Sequence, residues 1–195
     1  MRRRGSHLIA ARRMFALFRR ARRGAVALEF GIMAIVYFTF MLGTMEMLFV
    51  FYAQNVLDLA VHTVVRKIQI GAAQGLNQSQ LASTYFCSAL TGLSCSQVAV
   101  KVVPVTTDYY TSTGTGGTLP VTNGTLTTGS FTVCPGSSGQ FMYMQAIYSV
   151  PSFVGSLIPT WSVRDAGGNR VHLVMAGAGW ANESFTVTAA APAGC

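Results

Sequence analysis

Residues 30–53 read FGIMAIVYFTFMLGTMEMLFVFYA, and this stretch decides the fold. Nineteen of its 24 residues are hydrophobic, and Glu46 is the only charged residue among them. A helix of this length is about 36 Å long, whereas the hydrocarbon core of a bilayer is about 30 Å thick. Because the sequence has no second apolar segment of this length to surround a buried helix, it predicts one transmembrane helix.

The positive charge of the chain lies mostly before this stretch. The 195 residues include 14 Lys and Arg against six Asp and Glu, which gives a formal net charge of +8. From residue 25 onward, however, there are only five basic side chains against the six acidic ones. The positive-inside rule therefore places the N-terminus in the cytoplasm and the rest of the chain outside. Because topology explains the arginines, nucleic acid is not an expected partner. Nine arginines precede Gly24: Arg2, Arg3, Arg4, Arg12, Arg13, Arg19, Arg20, Arg22 and Arg23.

An ordinary secretory signal peptide is the first alternative for the N-terminal segment. Such peptides have an apolar stretch of about 7–15 residues followed by a small-residue cleavage site. The apolar stretch here is longer, and no clean site of this kind closes it before Gln54. The sequence therefore favours a retained membrane span over secretory cleavage.

The junction before the span, RRGAVALEF over residues 22–30, resembles the type IV prepilin processing site. The resemblance implies that a prepilin peptidase cuts after Gly24 and that Ala25 becomes the new N-terminus. It also implies that Glu29, five places into the mature chain and followed by Phe30, pairs in the membrane with the α-amino group of a neighbouring subunit. A carboxylate in lipid is costly without such a partner. The alternative is that Glu29 merely reaches back to the cytoplasmic headgroups.

The residues that follow resemble the TadE family, the minor pseudopilins of the tight-adherence (Flp) pilus. The resemblance implies assembly of a bacterial pilus, with the prepilin peptidase, other pilin and pseudopilin subunits, the assembly platform and the lipid bilayer as partners. It implies a bacterial inner-membrane protein with a periplasmic C-terminal domain, and leaves association with the pilus itself open. Glu46 is then expected to pack against other subunits, the alternative being an interfacial carboxylate without a specific partner. The resemblance rests on Leu42–Glu46, Phe51–Leu57, Ala60 and Arg66, and more loosely on Asn169-Arg170 and Asn182–Phe185.

The helix is expected to continue beyond the membrane with one polar and one apolar face. Its polar residues recur at spacings of three and four, which is typical of one helical stripe. Gly71 is placed to end the helix. The predicted organisation is a basic leader (1–24), a transmembrane helix (25–53), an amphipathic extension (54–71) and an exterior α+β domain (72–195). The polar stripe is Asn55, Asp58, His62, Arg66 and Gln69, and the apolar one is Leu57, Val61, Val64, Val65 and Ile68.

The exterior domain is predicted to be a pilin-like antiparallel sheet packed on this helix. Asn123-Gly124 predicts a hairpin between two of the strands. Seventeen of the 25 residues in 106–130 are Thr, Ser or Gly, which indicates a solvated insertion or, alternatively, a binding loop. The predicted strands are Gln97–Pro104, Thr118–Thr122, Thr125–Val133, Phe141–Val150, Val171–Met175 and Ser184–Thr188.

All four cysteines fall in this domain, where an even number in an oxidising compartment indicates disulfides. We favour Cys87–Cys95 because the pair is local, and Cys134–Cys195 by exclusion. The alternative is a zinc site, but spacings of 8, 39 and 61 match no familiar zinc-finger pattern. No metal or other cofactor is therefore expected.

Nothing in the sequence indicates an enzyme. It contains no nucleophile elbow, zinc-protease motif or P-loop. His62 is expected to be solvated and His172 to be structural, and the acidic residues of the exterior domain are dispersed. Two functions remain open: a TadE-like minor pseudopilin, or an unprocessed, single-pass membrane-anchored periplasmic binding or scaffold module.

Overall fold

The computed structural model describes residues 22–105, 121–127, 131–156, 160 and 162–186. The chain divides into two compact units, Met1–Met45 and Glu46–Cys195. The division falls earlier than Ala53, where the sequence places the end of the membrane span. Most of the predicted leader and most of the Thr/Gly-rich segment 106–130 lie outside the described residues.

One long helix, α1, runs from Arg22 to Gln69. Gly71 terminates the helix, as predicted, because its φ of +79° is accessible to glycine at little cost. The amide of Gly71 donates to the carbonyl of Ile68 at 2.9 Å, and the amide of Ala72 donates to that of Lys67 at 2.9 Å. These two bonds form a Schellman motif, which satisfies the last carbonyl groups of the helix.

The second half of α1 has one buried apolar face and one exposed polar face. Its five predicted apolar residues are all buried, whereas Asn55, Asp58, His62 and Arg66 on the polar stripe are exposed. Burying a side chain such as Leu57 contributes about 1.5–3 kcal/mol. We call the buried or partly buried residues on one side of α1 its buried seam, which begins at Glu46 and whose members mostly lie three or four positions apart: Glu46, Val50, Ala53, Leu57, Ala60, Val61, Val64, Val65 and Ile68.

Short helical turns follow α1. Asn77 caps the first of them: its side chain accepts from the Gln80 amide, and the Gln80 side chain accepts from the Asn77 amide. This reciprocal capping box, Asn77 followed three residues later by Gln80, is a sequence signal for the start of a helix. The turns are α2 (Gln78–Leu81), a π-helix (Ala82–Phe86), α3 (Cys87–Ala89) and a 3₁₀ turn (Cys95–Gln97).

The described residues contain a six-stranded sheet in the order β1-β4-β6-β5-β3-β2. The α+β class is confirmed, but the expectation of an antiparallel sheet is wrong at one pairing. β3 and β5 run parallel, with Thr125 opposite Arg164, so the sheet is mixed. The predicted hairpin turn at Asn123-Gly124 is confirmed between β2 and β3. The strands are β1 (Val98–Pro104), β2 (Val121–Thr122), β3 (Thr125–Leu126), β4 (Phe141–Pro151), β5 (Val163–Arg164) and β6 (Arg170–Ala181).

The sheet has two buried faces, and β4 lies between β1 and β6. One face, with Met144, Ala146 and Tyr148 of β4, packs against the buried seam of α1. On the other face Ile147 packs with Leu126 and Phe131 in a smaller cluster. Because β4 is covered on both sides, nine consecutive residues of it, 142–150, are buried.

Three predicted strands differ from the structure. The strand predicted for Thr125–Val133 ends at Leu126, and among the described residues that follow only Val133 forms a bridge, with Val102. β6 extends to Ala181 rather than ending at Met175, because Gly177 and Gly179 continue its pairing with β4. A Cβ at Gly177 would lie 2.7 Å from the hydroxyl oxygen of Tyr143, which explains a glycine there. The strand predicted for Ser184–Thr188 is wrong over its described residues, 184–186. The chain there turns towards the end of α1, and the amide of Glu183 donates to the carbonyl of Gln69 at 2.9 Å.

Candidate functional site

Glu46 begins the second unit and holds a loop of the exterior domain through both carboxylate oxygens. Its side chain is 6% exposed. Oε1 accepts a hydrogen bond from the Ser152 hydroxyl at 2.5 Å and lies 2.7 Å from Nε2 of His172. Oε2 accepts from the backbone amide of Val154 at 2.8 Å. We call Glu46, Ser152, Val154 and His172 the Glu46 cluster.

The local sequence explains how these groups converge. Pro151 ends β4, and Ser152 then accepts from the amide of Gly155 at 2.8 Å, which closes the short 3₁₀ turn Val154–Ser156. The turn leaves the Val154 amide directed at Glu46. His172 lies near the start of β6, opposite Val150 of β4, and so reaches the same carboxylate.

The hydrogen-bond order in the Glu46 cluster differs from that of a catalytic triad. In a triad the histidine lies between the serine and the carboxylate and removes the serine proton. Here the carboxylate lies between the two, and the Ser152 hydroxyl donates to Glu46. The arrangement provides Ser152 with no adjacent histidine base, and its evident physical role is to fix the loop 152–156 to α1.

The Glu46 cluster differs from what the sequence indicates for Glu46. The alternative of a carboxylate without a specific partner is wrong, because three groups of this chain bind it. The expected packing of Glu46 against other subunits stays a prediction. No sequence pattern singles out Ser152, and the sequence predicts a structural His172 without a named partner. Both lie more than 100 positions from Glu46, so no local pattern could have joined them.

The residues of the predicted peptidase site all lie in the first turns of α1. Ala25, Glu29 and Phe30 are exposed, and Gly24 is partly exposed. Among the described residues Glu29 forms neither a hydrogen bond nor an ion pair. The backbone at Gly24-Ala25 is helical, so a peptidase that takes an extended chain must first unwind this helix end. The cleavage itself stays a prediction.

A second set of contacts joins the far end of α1 to the end of β6. Nη1 of Arg66 lies 2.5 Å from Oε1 of Glu183, and the Gln69 side chain donates to the carbonyl of Ala181 at 3.3 Å. Asn182 is 5% exposed, and its amide nitrogen donates to the carbonyls of Pro135 and Ser137 at 2.9 and 3.0 Å. Arg66 and Asn182-Glu183, which carried separate parts of the TadE resemblance, therefore meet in the fold.

Two of the four cysteines form the predicted local disulfide, Cys87–Cys95. Cys134 is also disulfide-bonded. The prediction that it pairs with Cys195 involves a residue that lies outside the described part of the chain. Among the described residues, no three His, Cys, Asp or Glu side chains are grouped closely enough to hold a metal ion.

Asp165 and Asn169 close the turn between β5 and β6. The Asn169 amide donates to Oδ1 of Asp165 at 2.8 Å, and the Asn169 side chain donates to Oδ2 at 3.1 Å. Burial by itself raises the pKa of Asp165. The hydrogen bonds from Asn169 and from the amides of Gly167 and Gly168 outweigh that effect and leave the pKa below its usual value.

These features define a class of protein: the part of the chain that the structure describes has one candidate membrane-spanning helix, whose second half is built into an α+β domain. The candidate span is Gly24–Gln69, with a mean hydropathy of 2.0 in its most apolar window and none of that window buried. Residues 24–66 match the family described as TadE-like protein. The match confirms the resemblance over this segment and indicates a role related to the tight-adherence pilus. No curated protein and no solved structure matches the chain.

Proposed function

We propose that the protein is a minor pseudopilin that takes part in assembly of a bacterial tight-adherence pilus. The observation that carries the proposal is that the TadE-like match begins at Gly24, the residue after which cleavage is expected. The segment that resembles the family therefore begins at the expected cleavage junction, and the arginines of the leader lie outside it. A prepilin peptidase removes that leader on the cytoplasmic face of the inner membrane.

Glu29 gives the mature helix its register. Cleavage creates a positive α-amino group at Ala25, and Glu29 lies four residues further along the helix. An exposed carboxylate in an apolar helix is costly in lipid, and a partner of opposite charge reduces that cost. The α-amino group of a neighbouring pilin or pseudopilin subunit is such a partner, so Glu29 selects one axial offset between adjacent helices.

The exterior domain acts as a structural part of the assembly and not as an enzyme. In the periplasm it presents a sheet that is fixed to α1 at both ends, by the Glu46 cluster and by the contacts of Arg66 and Gln69. A rigid unit of this kind transmits the position of the helix to the subunits and platform proteins that meet the domain.

The first experiment measures the mass of the membrane-extracted chain after co-expression with a prepilin peptidase. The expected product begins at Ala25. Gly24→Leu is expected to leave the leader attached, because a side chain at this position obstructs the protease cleft. Gly31→Leu is the matched control on the same helix, where an added side chain meets nothing within 4 Å, and it is expected to be cleaved normally. An intact Met1 in the presence of active peptidase would contradict the processing step.

The second experiment separates the proposal from an unprocessed anchored module. Glu29→Leu is expected to abolish pilus assembly while membrane insertion continues, since only the register contact is lost. Glu29→Asp is the control, because it keeps the charge and is expected to retain part of the assembly. If the protein were an unprocessed anchor, Glu29→Leu would be harmless or stabilising, since it removes a carboxylate from lipid. Pilus formation at the wild-type level in Glu29→Leu therefore refutes the proposal.

A further inference from the structure

The buried seam of α1 begins at Glu46, so the residues of the helix that precede Glu46 are the ones available to cross the lipid core. Before Glu46, the side chains from Ala25 to Met45 are exposed at nearly every position. This stretch is about 31 Å long as a helix, and the hydrocarbon core is about 30 Å thick. The bilayer core is thus filled by the residues that precede Glu46, and the predicted span to Ala53 is longer than the lipid requires.

It follows that Glu46 lies at the outer boundary of the hydrocarbon. The chemistry of the Glu46 cluster agrees with this depth, because a carboxylate, a serine hydroxyl and an imidazole suit the headgroup zone better than the acyl chains. The headgroup zone adds about 5–7 Å on each side of the core. Phe51 is five residues beyond Glu46, or about 7 Å along the helix axis, so it lies within the same zone.

The loop held by Glu46 carries an exposed aromatic side chain. Phe153 lies between Ser152 and Val154, both of which bind the Glu46 carboxylate, and it is 81% exposed. On α1, Leu48 and Phe51 are 64% and 66% exposed. We call Leu48, Phe51 and Phe153 the interfacial collar. Large apolar side chains at this depth are buried by lipid when the protein is in its membrane.

Arginines occupy the same end of the sheet. Arg170 begins β6, and its carbonyl accepts from the amide of Ser152 at 3.0 Å, next to Phe153. Its partner across the sheet is Arg164 in β5. Beyond residue 71 the sequence has only three basic residues, and these are two of them. Guanidinium groups bind phosphate well, and lipid phosphates lie at this depth.

We propose that the exterior domain rests on the outer surface of the lipid bilayer, with Phe153 inserted among the acyl chains and Arg164 and Arg170 beside the lipid phosphates. Leu48 and Phe51 of the interfacial collar continue the exposed apolar surface of the span along α1, which favours lipid over a protein partner as the collar's occupant. This inference depends on membrane insertion and not on cleavage after Gly24 or on pilus assembly, so either proposal can fail without the other.

Phe141 provides a matched control. It is 66% exposed and begins β4, whereas Phe153 follows the end of that strand. Ten residue steps of an extended strand separate its two ends by about 33 Å. Phe141 also pairs with Ala181, whose carbonyl bonds to Gln69 at the far end of α1. An exposed phenylalanine of the same domain is therefore available well away from the membrane.

The test compares Phe153→Trp and Phe141→Trp in full-length protein reconstituted into vesicles of phosphatidylcholine and phosphatidylglycerol. The fluorescence that each variant adds to the wild type is measured with and without acyl-chain-brominated lipids. The added emission of Phe153→Trp is expected to be blue-shifted and mostly quenched, and that of Phe141→Trp to be unaffected. Equal quenching of the two, or none at position 153, overturns the proposal.

A second measurement identifies the occupant directly. A benzophenone amino acid at position 153 retains an aromatic side chain and cross-links whatever lies against it on irradiation. Lipid adducts of the monomer are expected. Cross-links between two copies of the chain, or to another protein in the membrane, without lipid adducts overturn the assignment to the bilayer.

Discussion

The Glu46 carboxylate and the His172 imidazole meet at 2.7 Å although 126 positions separate them in the sequence. Glu46 lies on α1 and His172 lies on β6. At the other end of these two elements, the Gln69 side chain donates to the carbonyl of Ala181. From Glu46 to Gln69 the helix rises about 35 Å, and β6 from His172 to Ala181 rises about 30 Å. β6 therefore runs beside α1 for most of this distance, and between the two ends Gln54 donates to the carbonyl of Met175.

The first prediction concerns this anchoring. Glu46→Ala removes the acceptor for the Ser152 hydroxyl and the Val154 amide, and each buried donor left unpaired costs about 1–3 kcal/mol. Urea unfolding of full-length protein in detergent, followed by Trp180 fluorescence, should show the loss. Glu46→Gln keeps one acceptor oxygen and is expected to lose less. Glu29→Ala is the control in the same helix and should leave the unfolding of the domain unchanged. Equal stability of Glu46→Ala and wild type would contradict the anchoring role.

The second prediction separates two costs of replacing a glycine. Gly71 and Gly124 both have positive φ, +79° and +74°. A Cβ at Gly71 would lie 2.8 Å from Cγ of Phe185, whereas at Gly124 it would meet nothing within 4 Å. Gly124→Ala should therefore cost only the left-handed backbone, about 1–2 kcal/mol. Gly71→Ala should cost distinctly more in the same unfolding assay. A larger loss for Gly124→Ala would show that the contact with Phe185 is unimportant.

The helix α1, the turn between β2 and β3 and the chain after β6 show how far the sequence determines the fold. The apolar stripe of α1 could be predicted because every residue on it obeys one helical period, and the Asn123-Gly124 turn because few residues adopt positive φ there. The strand expected at Ser184 follows the same alternation rule and is wrong, because the amide of Glu183 bonds to Gln69 and directs the chain onto α1. Alternation indicates which side chains can share a face, but it does not decide which backbone groups pair.

The third prediction concerns the cysteines. Non-reducing peptide mapping should recover Cys87 and Cys95 in one linked peptide and Cys134 linked to Cys195. Replacing Cys87 and Cys95 together by alanine opens a short loop and should cost about 2–3 kcal/mol. Protein that is reduced before digestion provides the control, because any disulfide found among its fragments must have formed during digestion. A free Cys134 thiol in protein taken from the periplasm would contradict the second pair.

The fourth prediction follows from the lowered pKa of Asp165. A carboxyl group whose pKa is lower in the folded state stabilises that state above the unfolded value, about 3.9, and this contribution is lost as the pH falls through the folded pKa. The difference in unfolding free energy between wild type and Asp165→Asn should thus be largest near neutral pH and shrink below about pH 4. In an Asn169→Ala background the same difference should be smaller. A difference that grows on acidification would reverse the assigned sign.

The fifth prediction ranks two neighbours at the far end of α1. The Arg66–Glu183 pair is short, but its side chains are 62% and 47% exposed, and exposed pairs contribute only about 0.2–1 kcal/mol. Asn182 is buried, donates to two carbonyls and accepts from the Trp180 indole at 2.8 Å. Asn182→Ala leaves those groups without their partner, which costs about 1–3 kcal/mol for each buried group. It should therefore destabilise the domain more than Glu183→Ala, and high salt should weaken only the effect of Glu183→Ala. If Glu183→Ala were the more damaging change, the ion pair rather than the asparagine would hold the end of β6.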